Sequence, residues 1–513
     1  MKKNIIALVL LLFMIMHHTS LQAQQKKRIN ILFLMSDQHR GDYLGAAGAD
    51  FVRTPNMDQL AKEGVSFSRA YSSIPSCFPA RTSILTGMSP WKHGQLGYNP
   101  IPDYPVEGPA LFTAAGYRTH AVGKNHFSPM RNKHGYQSVE LEEGWYSLQK
   151  GHEQCDYSQW FAAVAPGKDM NATGLNYNDL RGGRYFPFDD TLHPTHWTAE
   201  RAIDFLKNYK GDEPWLLKVS FQRPHPPFDP PKRWADIMRD VKIPLPPVGA
   251  WAETKYGERK YTIEEKNNAP SGVFPDADII ESRRSYIAGL GYVDEQLGRV
   301  LDALKARGEL ENTLIIYTAD HGEMLGDHHL WRKCRPQEGS VRIPMILRWP
   351  ASLGIKARRG QVRSELVELR DVFPTFLDAA GLGIPSVMDG RSMLDIIKGK
   401  KWRNLLDLEH AQIYEPDNGW VALTDARYKY IYYMPTGQEQ LFDLKKDPDE
   451  LVDLAQVPNR NEKLLAAWRA SMVEHLRVRG ELWVKNDSLV VQPRPIYYGV
   501  NFPGYSGGAR PKE

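Results

Sequence analysis

The sequence predicts an α/β fold, a large and mostly parallel sheet flanked by helices, followed by a smaller α+β subdomain with a short antiparallel sheet. Three observations carry this expectation. Short apolar runs end at acidic residues, as strands buried on both faces do. Helical patterns separate those runs. Beyond Arg403 the continuous runs give way to strict alternation, the pattern of strands buried on one face.

The first 23 residues stand apart from the fold. Met1, Lys2 and Lys3 form a positive start, Ile5 to Met16 is an almost unbroken apolar run, and Leu21, Gln22 and Ala23 offer a small-residue cleavage site. The run is short for a bilayer span, so residues 1–23 are read as a secretory signal peptide rather than an anchor. The mature chain is then periplasmic or secreted. No other stretch is long and apolar enough to cross a membrane, so no transmembrane segment is expected in it.

Ile29 to Met35, ending at Ser36 and Asp37, is the first strand. Others are expected at Thr119 to Val122, Trp215 to Phe221, Thr313 to Tyr317 and Pro344 to Leu347, with helices at Met57 to Glu63, Thr198 to Lys207 and Ser282 to Arg307. Arg131 to His196 and Pro244 to Pro275 lack periodicity and read as long loops, which tend to carry function. Val421 to Thr424 and Lys429 to Tyr433 alternate, and Leu464 to Val478 has one apolar helical face. Residues 24–402 are therefore assigned to the catalytic domain and 403–513 to the C-terminal subdomain, whose tail from Val490 either drapes over the body or is disordered.

Composition narrows the function. With 65 Lys and Arg against 61 Asp and Glu, the formal charge is +4, and it falls to +2 without the leader, which argues against a nucleic-acid footprint. Three cysteines in 513 residues exclude a disulfide framework. In an exported protein each of them is either paired or chemically special.

Asp37 and Gln38 follow one strand, and Asp320 and His321 follow another, where α/β sheets build their sites. Oxygen ligands favour calcium and the imidazole also suits zinc or manganese, but carboxylates capping the next helix would look the same. Cys77 stands just before Pro79 and an apolar helix, where a thiolate is stabilised; a buried structural cysteine is the alternative. Lys124, His126, His225 and Lys333 lie near other strand ends or motifs. Singly they read as surface or packing residues; together with Arg81 they offer proton transfer and anion binding, the outline of metal-assisted hydrolysis of a charged ester.

Cys77, Pro79, Ala80 and Arg81, followed by Leu85, Thr86 and Gly87, resemble the signature of the type I sulfatases. Asp37, Arg40, Asp42, Leu44 and Gly45 are similar to that family's opening motif. Thr54, Pro55, Asn56, Asp58, Leu60 and Gly64 are similar to its next helix, and Gly123, Lys124 and His126 to its lysine and histidine pair. The segment Asp320 to Lys333 and the run Leu441 to Leu454 complete the resemblance. It implies an alkaline-phosphatase-like fold, conversion of Cys77 to formylglycine by a maturation enzyme, and one calcium ion bound by Asp37, Gln38, Asp320, His321 and the modified Cys77. It further implies that Arg81 steadies the formylglycine, Lys124 and Lys333 bind sulfate oxygens, His225 protonates the leaving alcohol and His126 acts as base on the hemiacetal sulfate. Gln38 and His321 depart from the commoner Asp and Asn, which lowers the negative charge offered to the ion.

The expected substrate is a sulfated carbohydrate of glycosaminoglycan type, with Trp160, Tyr185, Phe186 and Trp197 as candidate sugar-stacking residues and Arg181, Arg184 and Arg335 as contacts for further anions. A phosphonate or phosphate ester hydrolase and a non-catalytic sulfated-glycan-binding protein are the alternatives. The particular sugar, endo or exo action, the oligomeric state and any pairing of Cys155 with Cys334 stay open.

Overall fold

The computed structural model describes residues 28–98, 103–144, 155–457 and 461–502, so the proposed leader lies outside the described residues. Its main sheet comprises β1 (Asn30–Asp37), β2 (Val65–Phe67), β3 (Arg118–Gly123), β4 (Ser138–Leu141), β5 (Trp215–Pro224), β6 (Thr313–Ala319), β7 (Met345–Arg348) and β8 (Gln361–Arg363). They lie in the order β4-β3-β5-β1-β6-β7-β2-β8. Pairing from β4 through β6 is parallel, whereas β7 runs antiparallel to both β6 and β2. The reversal follows from the connection. Between β6 and β7 the chain forms loops and short helical turns, with no crossover helix to carry it back to the other edge of the sheet.

Alternation along β1 divides the core. Leu32 and Leu34 enter one apolar cluster with the long helix Asp276–Ala306, while Ile31, Phe33 and Met35 enter another with the helix Val372–Ala380. Every residue of β1 is buried, as its unbroken apolar run requires of a central strand.

Two of the expected loop regions hold structure. Arg131 to His196 contains β4, the helix Asp156–Val164 and the start of the helix Pro194–Asn208; Pro244 to Pro275 contains the helix Ala250–Tyr256. These elements are short, and short segments carry little periodic signal. The tail does drape over the body as far as it is described: Leu96 N donates to Tyr497 O at 3.1 Å and Gly499 N to Gly94 O at 2.9 Å.

The C-terminal sheet is a meander of β9 (Leu406–His410), β10 (Trp420–Thr424), β11 (Tyr428–Tyr433) and β12 (Gln438–Asp443). One face, with Val421, Leu423 and Tyr430, is covered by Trp468, Met472 and Leu476 of the helix Glu462–Arg477. The other face, with Leu408, Ala422 and Ile431, packs on Tyr71, Met324 and Val341 of the main body. The expected fold class, a large mixed sheet with helices and a C-terminal antiparallel sheet, is what the chain adopts.

Candidate active site

Parallel register brings four strand ends together. In β1 the register shifts after Ser36, so that Asp37 pairs with Pro224 and lies beside the start of the His225 loop. Ser36 pairs with Ala319, which places Asp320 next to Asp37. On the other flank Gly123 pairs with Ser220, so Lys124 leaves the same edge. Gly123 has φ +88°, and a Cβ there would lie 2.1 Å from Ser220 O, so only glycine fits. Gln38 and His126 are themselves left-handed, at φ 67° and 57°, a strain of about 1–3 kcal/mol each that surrounding contacts must hold.

Cys77 reaches this edge from the first turn of the helix Cys77–Thr86, which starts two residues earlier than Pro79 suggested. Ser76 occupies the N-cap position without capping the helix through its side chain; its hydroxyl donates instead to His410 Nε2 at 2.8 Å, since His410 Nδ1 is engaged with Ala411 O. Asn418 Nδ2 and Trp420 Nε1 both donate to Cys334 O, next to Lys333. The C-terminal subdomain thus ties down Ser76, which precedes the cysteine, and the carbonyl of Cys334, which follows Lys333.

Asp37, Cys77, Asp320 and His321 each offer a ligand atom, all within 4.8 Å of one another and all buried. His321 Nδ1 donates to Gly322 O at 2.8 Å, which fixes the tautomer and turns the Nε2 lone pair toward Cys77 Sγ, 3.2 Å away. Two buried carboxylates, an imidazole lone pair and a sulfur converging in this way fit a divalent cation. Gln38 joins the group through its amide oxygen, which accepts from Lys333 Nζ at 3.0 Å, while its Nε2 donates to Glu323.

Cations surround the carboxylates. Arg81 Nε donates to Asp320 Oδ2 at 2.8 Å and its Nη2 to Asp37 Oδ2 at 3.4 Å; Lys124 Nζ lies 2.5 Å from Asp37 Oδ2; and Lys333 Nζ donates to Cys77 Sγ at 3.0 Å. Arg81, Lys124 and Lys333 converge on one strand edge, a set of cations suited to holding an anionic substrate. Burial works to raise the Asp37 pKa, but the charges of Lys124 and Lys333 outweigh it and hold the carboxyl well below its ordinary value. The expectation of a stabilised thiolate at Cys77 fails. Burial, and then the Asp37 charge, push the thiol up to about 11 despite the two lysines, because desolvation outweighs one helix terminus.

His225 Nδ1 donates to Pro226 O at 2.8 Å, and its Nε2 is buried without a hydrogen-bond partner among the described residues. Burial, then Lys333 and Lys124, hold its pKa well below the usual imidazole value. His126 stacks on Phe78 at 3.8 Å between centroids, and burial, then Lys124 and Arg81, lower its pKa in the same way. Both rings are therefore neutral without a bound anion.

Three further residues belong to the site. Tyr177 Oη accepts from Lys124 Nζ at 2.7 Å, and its ring lies against His225 with centroids 4.4 Å apart. Glu143 Oε1 accepts from Asn125 N and His126 N at 2.8 and 2.9 Å, fixing the turn that carries Lys124. Glu323 receives Gln38 Nε2 and holds Leu325 N and Arg332 N. Glu323 was discoverable from its place two residues after His321; Tyr177 and Glu143 carry no local signal.

Several proposed sugar contacts are elsewhere. Phe186 and Trp197 are both 3 % exposed and pack with Tyr157 and Phe161, so neither presents an open face for a sugar ring to stack on. Arg181 is paired with Asp179 and Glu264, and Arg335 with Glu415. Trp160 is half-buried, whereas Arg184 and Tyr185 are exposed. Cys155 and Cys334 are separate buried thiols, not a disulfide.

A metal-competent group with converging cations at the carboxyl edge of a large mixed sheet, braced by a small antiparallel one, defines a hydrolase of the alkaline-phosphatase-like class. The phosphonate monoester hydrolase of Silicibacter pomeroyi has the same fold, with a TM-score of 0.73 and 25 % identity over 91 % of this chain and 100 % of that one. The sulfatase family profile matches residues 29–382, and that of the N-sulphoglucosamine sulphohydrolase C-terminal region matches 326–477. An arylsulfatase of Clostridium perfringens is 36 % identical over 90 % of this chain and 97 % of its own length. A choline-sulfatase of Rhizobium meliloti is 30 % identical over 87 % and 86 %. The chain belongs to the sulfatase family and is a sulfuric ester hydrolase.

Proposed function

We propose that the protein is an exported sulfatase that removes sulfate esters from a sulfated carbohydrate. It would use a formylglycine made from Cys77 and one calcium ion held by Asp37, Gln38, Asp320, His321 and the modified residue. The observation that carries this reading is the meeting, at one strand edge, of buried Cys77 with the cations Arg81, Lys124 and Lys333 and the unpartnered Nε2 of His225. Formylglycine, once made, supplies a hydrated aldehyde as nucleophile. Calcium, once bound, supplies Lewis-acid polarisation of a sulfate oxygen.

This chain's own residues do the rest. Lys124 and Lys333 contact sulfate oxygens and neutralise charge that would repel an incoming oxygen. Arg81, tied to both carboxylates, orients residue 77. An anion resting on the two lysines offsets their charges, which add to burial in depressing His225, and so favours a proton on its Nε2 for delivery to the leaving alcohol. His126, kept neutral, takes a proton in the second half of the cycle. Cys77 is 1 % exposed, so its conversion by a maturation enzyme belongs to a stage before the site closes.

The carbohydrate assignment is supported by the leader pattern and by the match of residues 326–477 to a C-terminal region named for a sulphoglucosamine hydrolase. Residues 24–402 would form the catalytic domain and 403–513 the subdomain that braces it. Among the described residues no helix is long and apolar enough to cross a membrane. The phosphonate reading retains one point in its favour, the fold likeness to a phosphonate monoester hydrolase. Peptide mass spectrometry of protein from a maturase-containing host, with matched rates on an aryl sulfate and an aryl phosphonate, tests both. Replacement of the Cys77 thiol by an aldehyde and a faster sulfate rate are expected; unmodified Cys77 in active protein would sink the mechanism.

A further inference from the structure

Lys218 is a buried amine that the proposed mechanism does not use. It sits in the middle of β5, between Phe33 of β1 and Ala121 of β3, and is 5 % exposed. Strand alternation puts it on the face of Leu216, a member of an apolar cluster, and of Ser220, whose hydroxyl accepts from Arg81 Nη1 at 3.0 Å. Among the described residues it forms no ion pair with a carboxylate, and an amine buried in this way costs free energy. Burial, followed by the charge of Arg81, holds its pKa well below the ordinary lysine value, whereas those of Lys124 and Lys333 are raised. Lys218 is therefore not another cation for the sulfate.

Its contacts fall on the two neighbours of His126. Nζ donates to Asn125 Oδ1 at 2.8 Å and lies 5.5 Å from the centre of the Phe127 ring. Between those two residues His126 has φ 57°, a conformation that its surroundings must hold. Glu143 secures the backbone of the turn through the amides of Asn125 and His126, and Lys218 secures its side chains. Lys124 has separate supports: Arg81 Nη1 donates to its carbonyl oxygen, and Tyr177 and Asp37 hold its ammonium. Loss of the Lys218 contact should thus reach His126 and spare Lys124.

We propose that Lys218 is a positioning residue that holds the turn from Asn125 to Phe127, and through it sets His126 in place for the second half of the catalytic cycle. The catalytic part of this inference rests on the sulfatase reading; the bracing of the turn rests on geometry alone.

Lys218→Met keeps the stem beside Phe127 and removes only the donor, which leaves the buried Asn125 Oδ1 without a partner. Hydrogen exchange of unconverted protein needs no turnover and reads the brace directly. The peptide spanning residues 124–127 is expected to exchange about 5- to 100-fold faster than in wild type, with the central strands unchanged. Rapid mixing of converted protein with 4-nitrophenyl sulfate then separates the two halves of the cycle. Nitrophenol release in the first turnover is expected to stay within about threefold of wild type, while the steady rate that follows falls about 10- to 100-fold. Asn125→Leu removes the acceptor instead and should give the same pattern, and the double variant should lose no more than the worse single one. Unchanged exchange at residues 124–127, an equal loss in both phases, or additive losses in the double variant each overturn the positioning role. Wild type with converted Cys77 and no activity on the ester is instead the failure of the sulfatase reading, and the exchange measurement then decides the brace by itself.

Discussion

Tyr177→Phe removes one hydroxyl and keeps the ring, so it separates two contacts of the same side chain. The hydroxyl accepts from Lys124 Nζ at 2.7 Å, and among the described residues the other polar anchor of that ammonium is Asp37 Oδ2 at 2.5 Å. A hydrogen bond to a charged group contributes about 1.5–3 kcal/mol, equivalent to about 10- to 150-fold in rate if it is felt wholly in the transition state. Asp37 still holds the lysine, so the lower end is expected, about 10- to 30-fold in kcat/KM. Tyr177→Leu also removes the ring that lies 4.4 Å from His225 and should cost more, mostly in kcat. The assay is 4-nitrophenyl sulfate hydrolysis at a measured formylglycine fraction, with thermal unfolding in parallel. A change of less than about twofold in Tyr177→Phe, or a loss that follows unfolding, would refute the positioning role.

Two further outcomes concern charge. Chelation should lower the thermal midpoint, because an ion bound by the folded chain alone stabilises it by mass action; added calcium should restore it, and a midpoint indifferent to both would count against the ion. Burial pushes the Glu142 carboxyl up to about 7 from its ordinary 4.5, against the opposing pull of Arg223. The folded chain therefore keeps a proton that the unfolded chain loses between those values, so the contribution is full below about pH 4.5 and declines as pH rises to 7, by at most about 3 kcal/mol. Denaturant unfolding at pH 5 and 7.5 should show this decline in wild type and less of it in Glu142→Gln; an identical pH slope in the two proteins rules it out.

Much of the site was legible because its parts are local. The buried strands ending at Asp37 and Asp320, and the helix opening at Cys77, are short patterns in which residue type and spacing already carry the chemistry. Lys124 and His126 were recognisable from one turn after a strand. Tyr177 was not, because it approaches Lys124 from 53 positions away, out of a stretch with no periodicity. Phe186 and Trp197 misled for a related reason: an aromatic in an irregular segment looks the same whether it faces a ligand or fills a small core, and here both fill one.

The sequence by itself determined the main strands and helices, the family and the identity of nearly every group proposed to act, because apolar periodicity and short motifs are properties of neighbours along the chain. Tertiary structure alone decided which groups meet. The parallel register sets Asp37 beside Pro224 and Asp320, and the C-terminal sheet braces Ser76 through His410. It also decided their protonation: burial makes the Cys77 thiol a weaker acid than its helix terminus suggested and keeps both histidines neutral, since desolvation depends on everything packed around a group and not on its place in the chain.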